Sequence, residues 1–404
     1  MPFKSAISGL KAAQSDLNVI GNNVANAATS GFKRSRTEFQ DVFAVSSAGA
    51  AANAVGRGVE VGRVSQEFSQ GNITFTNSAL DLAISGEGFF ITSDGGERVY
   101  TREGAFGVDR DGFVVNASGN RLQAFGADAL GNISGSLGDL QLSQANSAPQ
   151  ASTGVTFGAN FDANDTPPAV AVFDPLNSNS FNETSALNVF DSQGGSHLLQ
   201  MYFVRDAAVN TWNVHTYVNG AAVSGPDNLV FDNAGLLATP ATGQIALPAF
   251  TPAAGVNPMN VTLSMSNSTM FGSPFGVNQL TQDGFSTGRL AGIDIDSDGV
   301  VLARYTNGQS NVQGQVALAD FANSQGLRPV GANGWTESFA AGEVLEGRPG
   351  SASLGLIQGG ALEDSNVDLS AELVSLIIAQ RNFQANTEVI STADTVTQSV
   401  INIR

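Results

Sequence analysis

The chain has no cysteine. Disulfides, thiolate nucleophiles, cysteine-bound zinc and iron–sulfur clusters are therefore excluded. It has two histidines, His197 and His215, too few for a histidine-rich metal site. Charge is scarce as well: 13% of the residues are charged, against about 25% in ordinary soluble domains. Basic residues are the rarer sign, 18 against 36 acidic, for a net charge of −18. Phosphates and anionic lipid surfaces would be repelled, so neither nucleic acid nor membrane insertion is expected. No run approaches the ~20 apolar residues that span a bilayer. The start, Met1-Pro2-Phe3-Lys4-Ser5, lacks the ~7–15-residue apolar stretch of a signal peptide, which points to a dedicated export route if the protein leaves the cell.

What is abundant tells more. Apolar residues make up 42% of the 404, enough for a substantial core, and 46 glycines announce many turns. With so little charge, the surface must be built largely of Asn, Ser, Thr, Gln and Gly. The two ends carry helical patterns. Phe3, Ile7, Leu10, Leu17 and Val24 form one row, and Ala6, Ala13, Ile20 and Ala27 form a second at intervals of seven. Leu369, Leu373, Leu376, Ala379, Phe383, Asn386, Ile390, Ala393, Val396 and Val400 recur about every 3.5 residues, the coiled-coil repeat. Asp368 is placed as N-cap and Glu372 lies in the first turn, where the helix dipole favours it. Neither glycine nor proline occurs from 361 to 404, so a helix of about 33 residues is predicted. An amphipathic terminal helix ordinarily packs on its own domain. Two such helices with stripes of similar width also leave apolar surface over, which suits oligomerisation.

Between the ends, short runs rich in Val, Phe, Ile and Thr alternate with Gly, Asn and Asp turns. Phe89-Phe90-Ile91, Phe113-Val114-Val115, Met201-Tyr202-Phe203-Val204 and Val300-Val301-Leu302 are examples, with turns at Asp94-Gly95, Asp111-Gly112, Asn219-Gly220, Asp298-Gly299 and Asn307-Gly308. No fixed-period repeat is present, which argues against solenoids and propellers. Most of the 13 prolines fall between Pro149 and Pro274, and residues 146–284 hold nine acidic residues against one basic, Arg205. This segment reads as an insert. The expected fold is mainly β and multi-domain, with nested β domains and long N- and C-terminal α-helices forming a coiled-coil-like core. The domains divide as 1–30 plus 365–404 for the helical core and 31–70 for a connector. An inner β domain takes 71–145 plus 285–364, and an outer β domain takes 146–284. Residues 44–58 look like a flexible link.

Catalytic chemistry finds no foothold. A nucleophilic triad would need His197 or His215, both in strand-like stretches without a Gly-x-Ser-x-Gly elbow. Asp294, Asp296, Asp298 and Gly299 match the first half of a calcium loop, but its twelfth position is Tyr305 instead of a bidentate Glu. The alternation with Ile293 and Ile295 favours a strand entering a hairpin. No enzyme activity, metal or cofactor is expected.

Residues 15–33, Ser-Asp-Leu-Asn-Val-Ile-Gly-Asn-Asn-Val-Ala-Asn-Ala-Ala-Thr-Ser-Gly-Phe-Lys, resemble the N-terminal signature of bacterial flagellar rod and hook proteins. Residues 361–404 resemble its C-terminal partner, with Ala361-Leu362-Glu363, Ser365-Asn366-Val367-Asp368-Leu369, Ala379-Gln380-Arg381 and the ending Ile401-Asn402-Ile403-Arg404. Phe383 stands where that family more usually has tyrosine. Gly88-Phe89-Phe90, Tyr100-Thr101-Arg102 and Asn307-Gly308-Gln309 also match, and together these motifs cover more than half of the chain. The large insert and Phe39-Gln40-Asp41-Val42-Phe43-Ala44 resemble the hook branch more than the rod branch, the same-family alternative. A phage-tail or adhesin-like β protein would share the Gly- and Asn-rich middle but would not need paired terminal heptads.

The resemblance implies a structural subunit of an extracellular, curved and flexible tube that transmits torque from rod to filament. Its implied partners are further copies of itself, a hook cap protein, the distal rod protein, a hook–filament junction protein and the flagellar type III export apparatus. The polymerisation core is expected at Ile7, Leu10, Leu17, Ile20 and Val24 on the first helix. On the last helix it is expected at Leu369, Leu373, Leu376, Phe383, Ile390 and Val400.

Overall fold

The computed structural model describes residues 2–42, 56–128 and 131–402. The link expected at 44–58 lies outside the described residues except for 56–58. The chain is mainly β with a long helix at each end, and it divides into two compact units. One comprises Met1–Gln144, Gly292–Arg304 and Ser310–Arg404; the other comprises Ala145–Ala291 and Tyr305–Gln309.

The first unit carries both helices. Helix α1 spans Pro2–Ala25 and starts on proline, whose missing N–H costs nothing in the first turn. A turn then leads to Gly31, where φ is 69° and an added Cβ would lie 2.4 Å from the Glu103 amide nitrogen. Both the left-handed backbone and the lack of room demand glycine. Strands β1 (Ser35–Asp41) and β2 (Val59–Gln66) follow as an antiparallel pair against α1. Helix α2 runs 33 residues, Leu369–Ile401, about 50 Å at ~1.5 Å per residue. The Asp368 carboxylate accepts hydrogen bonds from the Ser370 and Ala371 N–H groups, the capping predicted from sequence.

The β part of this unit is an antiparallel sheet around strand Phe89–Asp94, which pairs with Glu97–Thr101, Arg121–Ala127 and Leu318–Phe321. Phe90 packs with Phe106, Leu122 and Val316. Phe89 and Ile91 belong to another cluster, with Tyr100, Phe321 and Trp335. Because the first half of this strand is buried on both faces, Phe89-Phe90-Ile91 runs continuously apolar instead of alternating.

The second unit is a sandwich of two five-stranded sheets. A meander of Glu183–Phe190, Ser196–Arg205, Thr211–Val218, Ala221–Phe231 and Leu237–Thr239 forms one. Strand Gly154–Asp162 centres the other. Their facing side chains share one core, where Phe157 stacks on Phe203 at 5.1 Å and Phe161 meets Trp212 at 5.0 Å.

One turn recurs in both units. The side-chain oxygens of Asp109, Asn116, Asp191, Asp232 and Asp296 each accept from the N–H groups two and four residues on. Each has glycine at the third following position with φ between 76° and 87°. The Asp294–Asp298 run is therefore strand and hairpin, with Asp294 paired across the strands to Arg304 at 2.8 Å. Among the described residues no helix is long and apolar enough to cross a membrane.

Candidate assembly surface

α1 and α2 pack side by side. On α1 the seam combines the small residues Ala6, Gly9 and Ala13 with Ile20: Ala6, Ala13 and Ile20 are buried, and a Cβ on Gly9 would lie 2.4 Å from Asn386 Oδ1. From α2, Ala379 is buried, and Leu376, Phe383 and Ile390 lie half-buried on the same helical row. Of the described residues expected in the polymerisation core, only Ile20 is buried. Ile7, Leu10, Leu17 and Val24 flank the seam half-buried, because the neighbouring Ala6–Ala13–Ile20 row occupies its centre. Leu369 and Leu373 are exposed, and the Val400 side chain lies outside the described residues.

α2 has a second apolar face. At about 100° per residue, Leu373, Val374, Ile377 and Ile378 point away from the row of Ala379 and Asn386. With Leu369 they are 45–57% exposed, and Val389 and Val396 extend the band along the helix. Leu373 and Val396 belong to the row read from spacing, but Val374, Ile377, Ile378 and Val389 do not; the run Leu373-Val374-Ser375-Leu376-Ile377-Ile378, too wide for one seam, was their signal.

The roots of both helices meet at a buried charge cluster. Lys33 and Glu363 have fully buried side chains and pair at 2.6 Å; Arg102, 2% exposed, reaches the other oxygen of the same carboxylate at 3.1 Å. Backbone groups complete the shell. Lys33 Nζ donates to the Ser69 carbonyl at 2.8 Å, Arg102 to the Gly86 carbonyl at 2.9 Å, and the Gly71 N–H donates to Glu363 at 2.8 Å. Burial pushes the Lys33 ammonium below the ordinary lysine range, with Glu363 opposing the shift. Beside the cluster, Asn366 accepts the Arg34 N–H at 2.7 Å and donates to the Glu67 carbonyl at 2.7 Å. The Arg34 guanidinium stands 3.5 Å from Glu372 in the first turn of α2. Asn23 near the end of α1 exchanges two hydrogen bonds with Ser35, at 2.8 and 3.0 Å. The four signature stretches around Lys33, Arg102, Glu363 and Asn366 thus converge here. A charge set inside small and apolar motifs, Gly-Phe-Lys and Ala-Leu-Glu, was the available signal.

Other polar groups have local partners. Glu38 is hydrogen-bonded by Arg63, Arg36 and Ser65, which hold its carboxyl at about 2. In the second unit, His197 lies between Asp191 at 2.7 Å and Asn219 at 2.8 Å, while His215 stacks on Phe173 at 4.0 Å. Both imidazoles are thus engaged in packing the sandwich.

Four family models match the chain. The Flagella basal body rod protein model covers residues 3–33, and the Flagellar hook protein FlgE/F/G D1 domain covers 83–160. The Flagellar basal body protein FlaE D2 domain covers 160–285, and the Flagellar basal body rod FlgEFG protein C-terminal model covers 358–403. The chain is 37% identical to the flagellar hook protein FlgE of Escherichia coli and 36% identical to that of Salmonella typhimurium, over the full length of each pair. The crystal structure of Helicobacter pylori flagellar hook protein FlgE2 is similar in fold. Its TM-score is 0.54 at 15% identity, covering 72% of this chain and all of that one.

Proposed function

We propose, because this chain belongs to the flagellar hook protein family, that its copies polymerise through their terminal helices into the hook. The observation that carries the mechanism is the apolar band on α2, from Leu373 to Val396, turned away from the α1 seam. In the single chain that band faces water. Neighbouring helices would cover it, and burial at about 25 cal/mol per Å² of apolar area would offset the entropy of ordering the helices. Contacts between unlike faces of identical subunits that do not close into a ring would build a helical tube with a coiled-coil-like inner wall.

The β part of the first unit and the sandwich of the second, divided near residues 145 and 291, are proposed to lie outside that helical wall. Small polar contacts there would slide as the tube bends, while the helical wall carries torque from rod to filament. The matching of an outer-domain model at 160–285, and of full-length hook proteins, favours the hook over the rod branch. The role proposed is structural and extracellular, with no catalytic step. The hook cap, distal rod, hook–filament junction proteins and the type III export apparatus are the partners proposed. Electron microscopy of the purified full-length chain induced to assemble tests this. Curved hollow tubes of many copies are expected; short straight assemblies would support the rod reading, and failure to assemble at any concentration would overturn both.

A further inference from the structure

We infer that Lys33, Arg102 and Glu363 are positioning residues for assembly: they form a charge-counted lock that ties the roots of the two terminal helices together, so that neither end is fixed until the other has docked. The inference rests on the reading above that the terminal helices are the assembly element.

Three observations carry it. First, the ions are counted unequally. Two cations share one carboxylate, all three side chains being between 0% and 2% exposed. Second, the parts come from opposite ends of the chain. Both cations lie on the N-terminal side and the carboxylate on the C-terminal side, with Lys33 and Glu363 330 residues apart. Glu87 lies close enough to act on Lys33, but among the described residues Glu363 is the one ion-pair partner of Lys33 and Arg102, so until the segment before α2 arrives both lack it, and unpaired buried charge is strongly unfavourable. Arg102 depends on that carboxylate particularly, since among the described residues its Nε has no hydrogen-bond partner. Third, the lock is wired to both helices. The Glu363 carbonyl accepts the Gly31 N–H at 2.8 Å, fixing the exit from α1. On the other side, Arg34 joins the segment before α2 through Asn366 and the first turn of α2 through Glu372. A Cβ on Gly71 would fall 2.0 Å from the Asp364 carbonyl oxygen, so the segments approach as closely as backbone permits.

Charge counting gives an order of effects that shape alone does not. Glu363→Gln is nearly isosteric but leaves two buried cations without their shared ion-pair partner. Lys33→Met removes more hydrogen-bonding but leaves one cation on one carboxylate. Hydrogen exchange on the full-length monomer should therefore show the Gly31, Arg34 and Gly71 amides opening about 100-fold faster in Glu363→Gln, with a much smaller change in Lys33→Met. Adding Lys33→Met to Glu363→Gln should recover part of the loss, and Glu363→Asp should stay near wild type. Assembly of the same proteins, followed by light scattering, should fall in the same order.

The lock is overturned if Glu363→Gln exchanges like wild type, if Lys33→Met is the worse single change, or if the double variant is the plain sum of the two. Should Glu363→Gln not fold, the test passes to Glu363→Asp and Lys33→Met. Root amides as fast in Glu363→Asp as in Lys33→Met would then overturn it. If the amides loosen but assembly is unchanged while Leu373→Asp still blocks it, the positioning role fails and the assembly reading stands. If Leu373→Asp also assembles normally, the assembly reading itself has failed, and this inference falls with it.

Discussion

Replacing Leu373 by Asp tests whether the exposed face of α2 is the assembly surface. Leu373 is 45% exposed and lies off the α1 seam, so the change should hardly disturb the single chain. In the polymer the effect should be large. Full burial of a Leu, Ile or Val side chain is worth about 1.5–3 kcal/mol, so covering the exposed half of each of the five residues Leu369, Leu373, Val374, Ile377 and Ile378 yields about 4–7 kcal/mol per subunit. Leu373→Asp removes about 1 kcal/mol of that and adds the desolvation of an unpaired carboxylate, which costs several kcal/mol. A net loss of about 3–4 kcal/mol raises the critical concentration for assembly by about 100- to 1,000-fold. Sedimentation across a concentration series reads that number, and thermal unfolding of the monomer should stay within about 2 °C of wild type. Ile377→Asp should behave alike, and Ile377→Met, which keeps volume and polarity, should assemble normally. Leu376→Asp is the contrast: it lies on the seam row, so it should weaken the helix pair in the monomer as well. Assembly of Leu373→Asp at the wild-type critical concentration would refute the reasoning.

Three further outcomes follow from individual contacts. Gly9→Ala should destabilise the helix pair by about 1 kcal/mol, because overpacking against Asn386 exceeds the gain in helix propensity. In an Asn386→Ala background the same change should stabilise, and helix melting by circular dichroism reads the reversal of sign. Glu38, held at about 2 by Arg63, Arg36 and Ser65, has a folded-state value below its unfolded one. Its contribution to the pairing of β1 and β2 is therefore present above the ordinary carboxylate range and lost as pH falls toward about 2; amide exchange in β1 and β2 should accelerate over that window, and Glu38→Gln should flatten the pH dependence. Phe161→Ala should cost the sandwich unit about 3–5 kcal/mol, seen in the emission of Trp212 packed against it, while the helical signal of α1 and α2 is unchanged.

The terminal helices were readable because a helix advertises itself locally. Spacing, the Asp368 cap and the absence of glycine and proline in α2 all act within a few residues, and the observed bounds agree with them. Which side of each helix is inside was not readable in the same way. Leu10, Leu17 and Val24 are large apolar residues on α1, but the seam centres on the row of Ala6, Gly9 and Ala13, ending on Ile20, because two helices approach closely where side chains are small. That choice depends on Gly9 meeting Asn386, a pairing across the whole chain that no local pattern contains.

The buried cluster was hidden for the same reason: a lysine at 33, an arginine at 102 and a glutamate at 363 look like ordinary surface charges until the fold places them together. The two features divide the work between them. Along its shaft α2 carries an exposed apolar band that, in the assembly proposed above, gains value with the number of copies around it. At its root the chain spends some of its scarce charges on a directional contact whose value depends on geometry within one copy. A helical wall whose neighbours shift slightly as the tube bends would gain from the first kind of contact, since apolar burial is non-directional. A joint that must hold an exit angle gains from the second, since a charge-assisted hydrogen bond weakens steeply once its geometry is lost.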